Sequence, residues 1–126
     1  MAINFPLFER LEVLNYQLYP GRGGAPSLVV EFDQGPWVVL GVNGLGKTTL
    51  LLIMKRLLAG PVNVRDAGFS GSGSEILSAD RRVFATRVGD EARGATAELR
   101  VRFGAVVVSV KRRLDNLEIG RASCRE

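Results

Sequence analysis

The sequence predicts an α/β fold built on a mixed sheet, and three observations carry that expectation. A continuous apolar run, Trp37-Val38-Val39-Leu40, reads as a short strand buried on both faces, as strands with parallel neighbours are. A glycine-rich stretch follows it, and then Lys47–Ala59, where Leu50, Leu51, Met54, Leu57 and Leu58 recur at helical spacings of three and four. Near the end, Leu99, Val101 and Phe103 alternate with Glu98, Arg100 and Arg102, the period of a half-buried antiparallel strand. The expected architecture is therefore a strand–loop–helix flanked by antiparallel hairpins.

Each element has its own reason. Leu11–Tyr19 mixes apolar and polar positions and opens the chain as a strand. Pro20-Gly21-Arg22-Gly23-Gly24-Ala25-Pro26 is a turn, because glycine and proline supply conformations that a strand does not use. Leu28–Phe32 is a second strand, ended by Asp33-Gln34-Gly35-Pro36, and Trp37 is expected to anchor the core. The helix Lys47–Ala59 stops at Gly60-Pro61. Asp66–Asp80, rich in Gly and Ser, reads as a loop, and Arg82–Val88 as a strand or an extended connection. The last hairpin runs from Ala97 to Arg113, with Gly104-Ala105 as its tight turn and Val106, Val108 and Val110 alternating with Val107, Ser109 and Lys111.

Composition bounds the function. At 126 residues, 46% hydrophobic and 24% charged, the chain is one globular domain's worth of sequence. Its longest aliphatic run, Leu50–Met54, is too short to span a bilayer, and Met1–Pro6 carries no secretory pattern, so a cytoplasmic protein is expected. With no histidine and one cysteine, His-based catalysis, the usual zinc sites and a disulfide framework are excluded. Residues 81–118 hold nine basic and five acidic side chains, a local excess compatible with a polyanion partner and more simply explained by solvated strand faces.

The chemistry sits in Gly41-Val42-Asn43-Gly44-Leu45-Gly46-Lys47-Thr48, which fits G-x-x-x-x-G-K-[ST], the phosphate-binding loop. Glycines let the backbone curl so that successive N–H groups point into one concavity, and the helix beginning at Lys47 adds the positive end of its dipole. Lys47 is expected to bridge the β- and γ-phosphates as the catalytic cation, Thr48 to hold Mg²⁺, and the N–H groups of residues 44–49 to donate to the phosphates. The candidate site is thus Gly41, Asn43, Gly44, Leu45, Gly46, Lys47, Thr48 and Thr49, with ATP and Mg²⁺ as cofactors. In a chain of this length the pattern arises by chance on the order of one time in a hundred.

Gly-Val-Asn-Gly-Leu-Gly-Lys-Thr-Thr-Leu-Leu, with Asn43 and Gly44, resembles the G-x-N-G-x-G-K-[ST]-[ST]-L form of ABC-type ATPase heads, and the upstream Leu28-to-Gly41 spacing resembles the SMC/RecF-like DNA-maintenance ATPases of the AAA family. That resemblance implies a P-loop NTPase fold, here the N-terminal lobe of an SMC-type head with its Walker A strand–loop–helix. It also implies ATP hydrolysis in an intact protein, DNA as a partner, and head-to-head dimerisation. The alternative is the ATP-binding subunit of an ABC transporter, with a membrane partner; a third reading is a fragment that binds nucleotide only, or does nothing by itself. The acidic Walker B strand and the signature lie after this region in the family, and neither Gln17 nor Gln34, both before the loop, matches the family's γ-phosphate glutamine.

Weaker candidates surround the loop. Tyr16 and Tyr19 are candidates for adenine stacking or for packing, and Arg22 for a phosphate, DNA or solvated position. Arg81-Arg82 and Lys111-Arg112-Arg113 are candidates for a DNA-facing patch or for solvated strand ends. Finally, Ile119–Glu126 resembles a translated sequencing adapter over all eight residues, so residues 1–118 are expected to be a partial ATPase domain and 119–126 a non-native, adapter-derived tail left out of the fold reasoning. The strand Trp37–Leu40, lacking parallel neighbours in such a fragment, is expected to leave it prone to aggregation.

Overall fold

The computed structural model describes residues 4–21, 23, 26–42, 46–60, 84 and 92–126. Five strands and one helix run in the order β1 (Leu7–Leu14), β2 (Ser27–Glu31), α1 (Lys47–Ala59), β3 (Thr96–Phe103), β4 (Val106–Arg113) and β5 (Ile119–Arg125). The strands form a single sheet, β2-β1-β3-β4-β5, in which every pairing is antiparallel.

This corrects the expected fold class. Among the described residues there is no mixed sheet, and the strand–loop–helix of a P-loop α/β fold does not form. Trp37–Leu40 joins no strand, and its side chains are exposed, Leu40 by 86% and Val38 by 74%. A strand buried on both faces needs a packed layer above and below it, and among the described residues the one helix packs on β3 and β4, on a single face of the sheet. The chain turns instead at Asp33–Pro36: the Trp37 indole N–H donates to the Asp33 carbonyl at 3.0 Å, and its ring stands edge-on to Phe32. Trp37 is a surface side chain, 50% exposed, not a core anchor.

The alternating segments fold as their periods require. Leu11 lies opposite Leu99, and Val13 opposite Ala97, so the apolar phases of β1 and β3 share one face. β1 starts earlier than expected and ends at Leu14, because Asn15 takes a positive φ of 59° and its N–H donates to the Pro26 carbonyl at 2.7 Å. The β3–β4 hairpin closes at Gly104-Ala105, as expected.

α1 keeps its expected bounds and packs across β3 and β4. Its buried stripe is rotated relative to the expected one: Ile53, Met54 and Leu57 are inside, while Leu51 and Leu58 are exposed. With Leu11, Val13, Tyr16, Ala97, Leu99, Val101, Leu114, Leu117 and Phe84 they form one core on a single face of the sheet. The helix takes the i, i+3/i+4 set that meets the sheet, and both candidate stripes carried enough leucine to qualify.

Residues 119–125 form β5, the edge strand beside β4. Only Ser123 is partly covered there; the other side chains are exposed. Main-chain hydrogen bonds are enough to seat an extended, proline-free segment on an open edge, whatever its side chains. Asp66–Asp80 and Arg82–Val88 lie outside the described residues apart from Phe84, which is fully buried and edge-on to Tyr16. Among the described residues no helix is long and apolar enough to cross a membrane.

Candidate functional site

The motif's second half is a helix start. Gly46 is the N-cap of α1, with φ 81° and ψ 18°, a left-handed conformation that glycine takes without steric cost. Among the described residues no side chain caps the helix, and its first turn contains no acidic residue. The first N–H groups of a helix have no intrahelical acceptor, so the Lys47 and Thr48 amides stand at the positive end of the dipole with Lys47's own charge beside them. That is the electrostatic environment an anion requires.

Two tethers hold this end in place. The Lys47 ammonium donates to the Gly41 carbonyl, closing the loop across its ends. The Tyr19 hydroxyl donates to the Gly46 carbonyl at 2.9 Å, and that carbonyl also accepts the first helical bond, from the Leu50 N–H, at 2.8 Å. A methyl group placed on Gly46 would sit 2.7 Å from Leu18 Cδ2 and 3.2 Å from Tyr19 Cε1, so the β1–β2 connection packs directly on the cap.

Of the predicted site residues, Gly41, Gly46, Lys47, Thr48 and Thr49 are placed together by the helix start and the Lys47–Gly41 bond. Thr48 is exposed, where a hydroxyl can reach a bound cation, whereas the Thr49 side chain is buried against the core and offers the site only its main chain. Asn43, Gly44 and Leu45 lie outside the described residues, as do Arg22, Arg81 and Arg82.

The aromatic and basic candidates separate. Tyr16 is fully buried between Tyr19 and Phe84 and cannot present a ring to a ligand, while Tyr19 is half-buried with its hydroxyl on Gly46. Lys111, Arg112 and Arg113 do not make one patch, because a strand sends successive side chains to opposite faces. Arg112 lies on the core face, its Nε donating to the Leu57 carbonyl and its Nη1 to the Leu117 carbonyl, both at 3.0 Å. Arg113 pairs with Asp115 on the other side. Arg112 therefore caps the far end of α1, a role visible in the phase it shares with Val108 and Val110. Tyr19's role had no such signal, since nothing local in the sequence relates it to a glycine 27 positions on.

The open face of the sheet offers a contrasting surface. A depression of about 70 Å³ is lined by Arg10, Glu12, Glu98 and Arg100, two charges of each sign. Arg10 pairs there with Glu12 and Glu31, and Arg102 with Glu9. Its cations are mostly compensated, so the helix start, with a lysine and no carboxylate, is the better anion site. Compared with protein-family models, curated proteins and solved structures, the chain matches none.

Proposed function

We propose that the segment Gly41–Thr49 binds the phosphates of a nucleotide, ATP with Mg²⁺, at the open N-terminus of α1. The observation that carries this reading is the start of the helix at Lys47, at the motif's own lysine, with a glycine cap and no acidic residue in its first turn. In this reading the amides of Lys47 and Thr48 donate to phosphate oxygens, and the Lys47 ammonium exchanges the Gly41 carbonyl for the β- and γ-phosphates. The Thr48 hydroxyl would hold Mg²⁺ as one of its ligands, and the metal would neutralise phosphate charge there.

The proposal is for binding in a cytoplasmic protein. The resemblance of the loop to SMC/RecF-like ATPases extends it to hydrolysis coupled to DNA, and the ABC-transporter alternative to a membrane partner. Calorimetric titration of the chain with ATP–Mg²⁺ tests the binding. Lys47→Ala removes a charge-assisted bond worth about 1.5–3 kcal/mol, so affinity should fall about ten- to a hundredfold. Equal affinity for the two proteins, or no heat from the wild type, would reject the site.

A further inference from the structure

We infer that Tyr19 is a positioning residue for the phosphate site, an inference that rests on the binding reading above. A peptide unit is planar and trans, so the Gly46 carbonyl and the Lys47 N–H point in opposite directions from one rigid plate. The structure fixes the carbonyl end of that plate twice, by the Leu50 N–H inside the helix and by the Tyr19 hydroxyl from outside it. Holding one end aims the other, and the aimed group is the first amide of the helix, a donor the phosphate would use.

Tyr19 is itself well held. Its N–H donates to the Tyr16 carbonyl at 3.1 Å, its carbonyl accepts the Gly21 N–H at 2.9 Å, and its ring lies 5.8 Å from that of Tyr16. Tyr16 in turn meets buried Phe84 edge-on at 6.4 Å. The aromatic series Phe84–Tyr16–Tyr19 links the core to the cap of α1, so the hydroxyl sits on a rigid support. With the hydroxyl committed to Gly46, Tyr19 acts through the loop's backbone and not by stacking on a base.

The test is calorimetry on the full chain and on Tyr19→Phe, with two probes, ATP–Mg²⁺ and inorganic tripolyphosphate, alongside thermal melts. The expected result is about three- to tenfold weaker binding of both probes by the variant, because the Lys47 amide is no longer held in place, with a melting temperature lower by only the few degrees that one neutral hydrogen bond is worth. Equal affinities in the two proteins overturn the assignment and leave the binding reading intact. Weakening for ATP alone also overturns it, since that would mean contact with the nucleoside. No binding of either probe by the wild type overturns both. The Lys47 amide resonance gives a readout independent of stability: in unliganded Tyr19→Phe it should shift while the Ile53 and Leu57 amides stay, and an unmoved Lys47 amide overturns the inference.

Discussion

The two ends of α1 are finished in opposite ways. At the C-terminal end Gly60 closes the last turn with its N–H on the Arg56 carbonyl at 2.8 Å, and Arg112 reaches from β4 to the Leu57 carbonyl. Gly60 takes φ 70° and ψ −166°, a region open essentially to glycine alone, and the space where a side chain would stand holds the Arg112 guanidinium. At the N-terminal end a glycine caps without a side-chain acceptor, the first turn is free of carboxylates, and the Lys47 ammonium donates to the Gly41 carbonyl. The sealed end contributes to stability; the open end leaves donors for something else to satisfy. Under the proposed function, that division gives one terminus a structural role and the other a binding role, and the substitutions below probe it.

The largest effect belongs to the sealed end. Leu57 is 1% exposed, and Leu57→Ala should cost about 2–5 kcal/mol in denaturant unfolding while leaving nucleotide affinity unchanged below the transition. The loss of affinity in Lys47→Ala comes next, and its melting temperature should stay near that of the wild type; a large drop in stability would erase the contrast between the ends. Arg112→Met removes the cation but keeps much of its length, stranding the Leu57 and Leu117 carbonyls at about 1–3 kcal/mol in chemical denaturation. The smallest and most discriminating change is Thr48→Asp. A carboxylate in the first turn should raise stability by about 0.3–1 kcal/mol through the dipole and yet weaken nucleotide binding by repulsion, opposite signs that a melt and a titration resolve together.

How far the sequence revealed this arrangement depended on whether a segment's partners are local. The β3–β4 hairpin was legible because its alternation, its two-residue turn and its partner lie within one stretch of chain. α1 was legible in its bounds, since Gly46 and Gly60 bracket a run of helix formers, but its buried stripe was not, because leucines lie on more than one side. Trp37–Leu40 misled for the same physical reason: continuous apolar character states what a segment can bury and says nothing about what is there to cover it. β5 carried no such signal: it pairs with β4 by main-chain bonds that no side-chain pattern records. Within the candidate site, the helix start at the motif's lysine was readable from spacing, and the Tyr19–Gly46 contact was not.

The turn at Asp33–Pro36 has a practical consequence. It leaves the chain's single tryptophan half in water, its indole tied to the Asp33 carbonyl, four positions before Gly41. Trp37 is therefore a built-in fluorophore on the chain leading into the motif, its emission uncontaminated by any other indole. Whatever rearranges the segment between Phe32 and the helix should change the colour or quenching of that one light source.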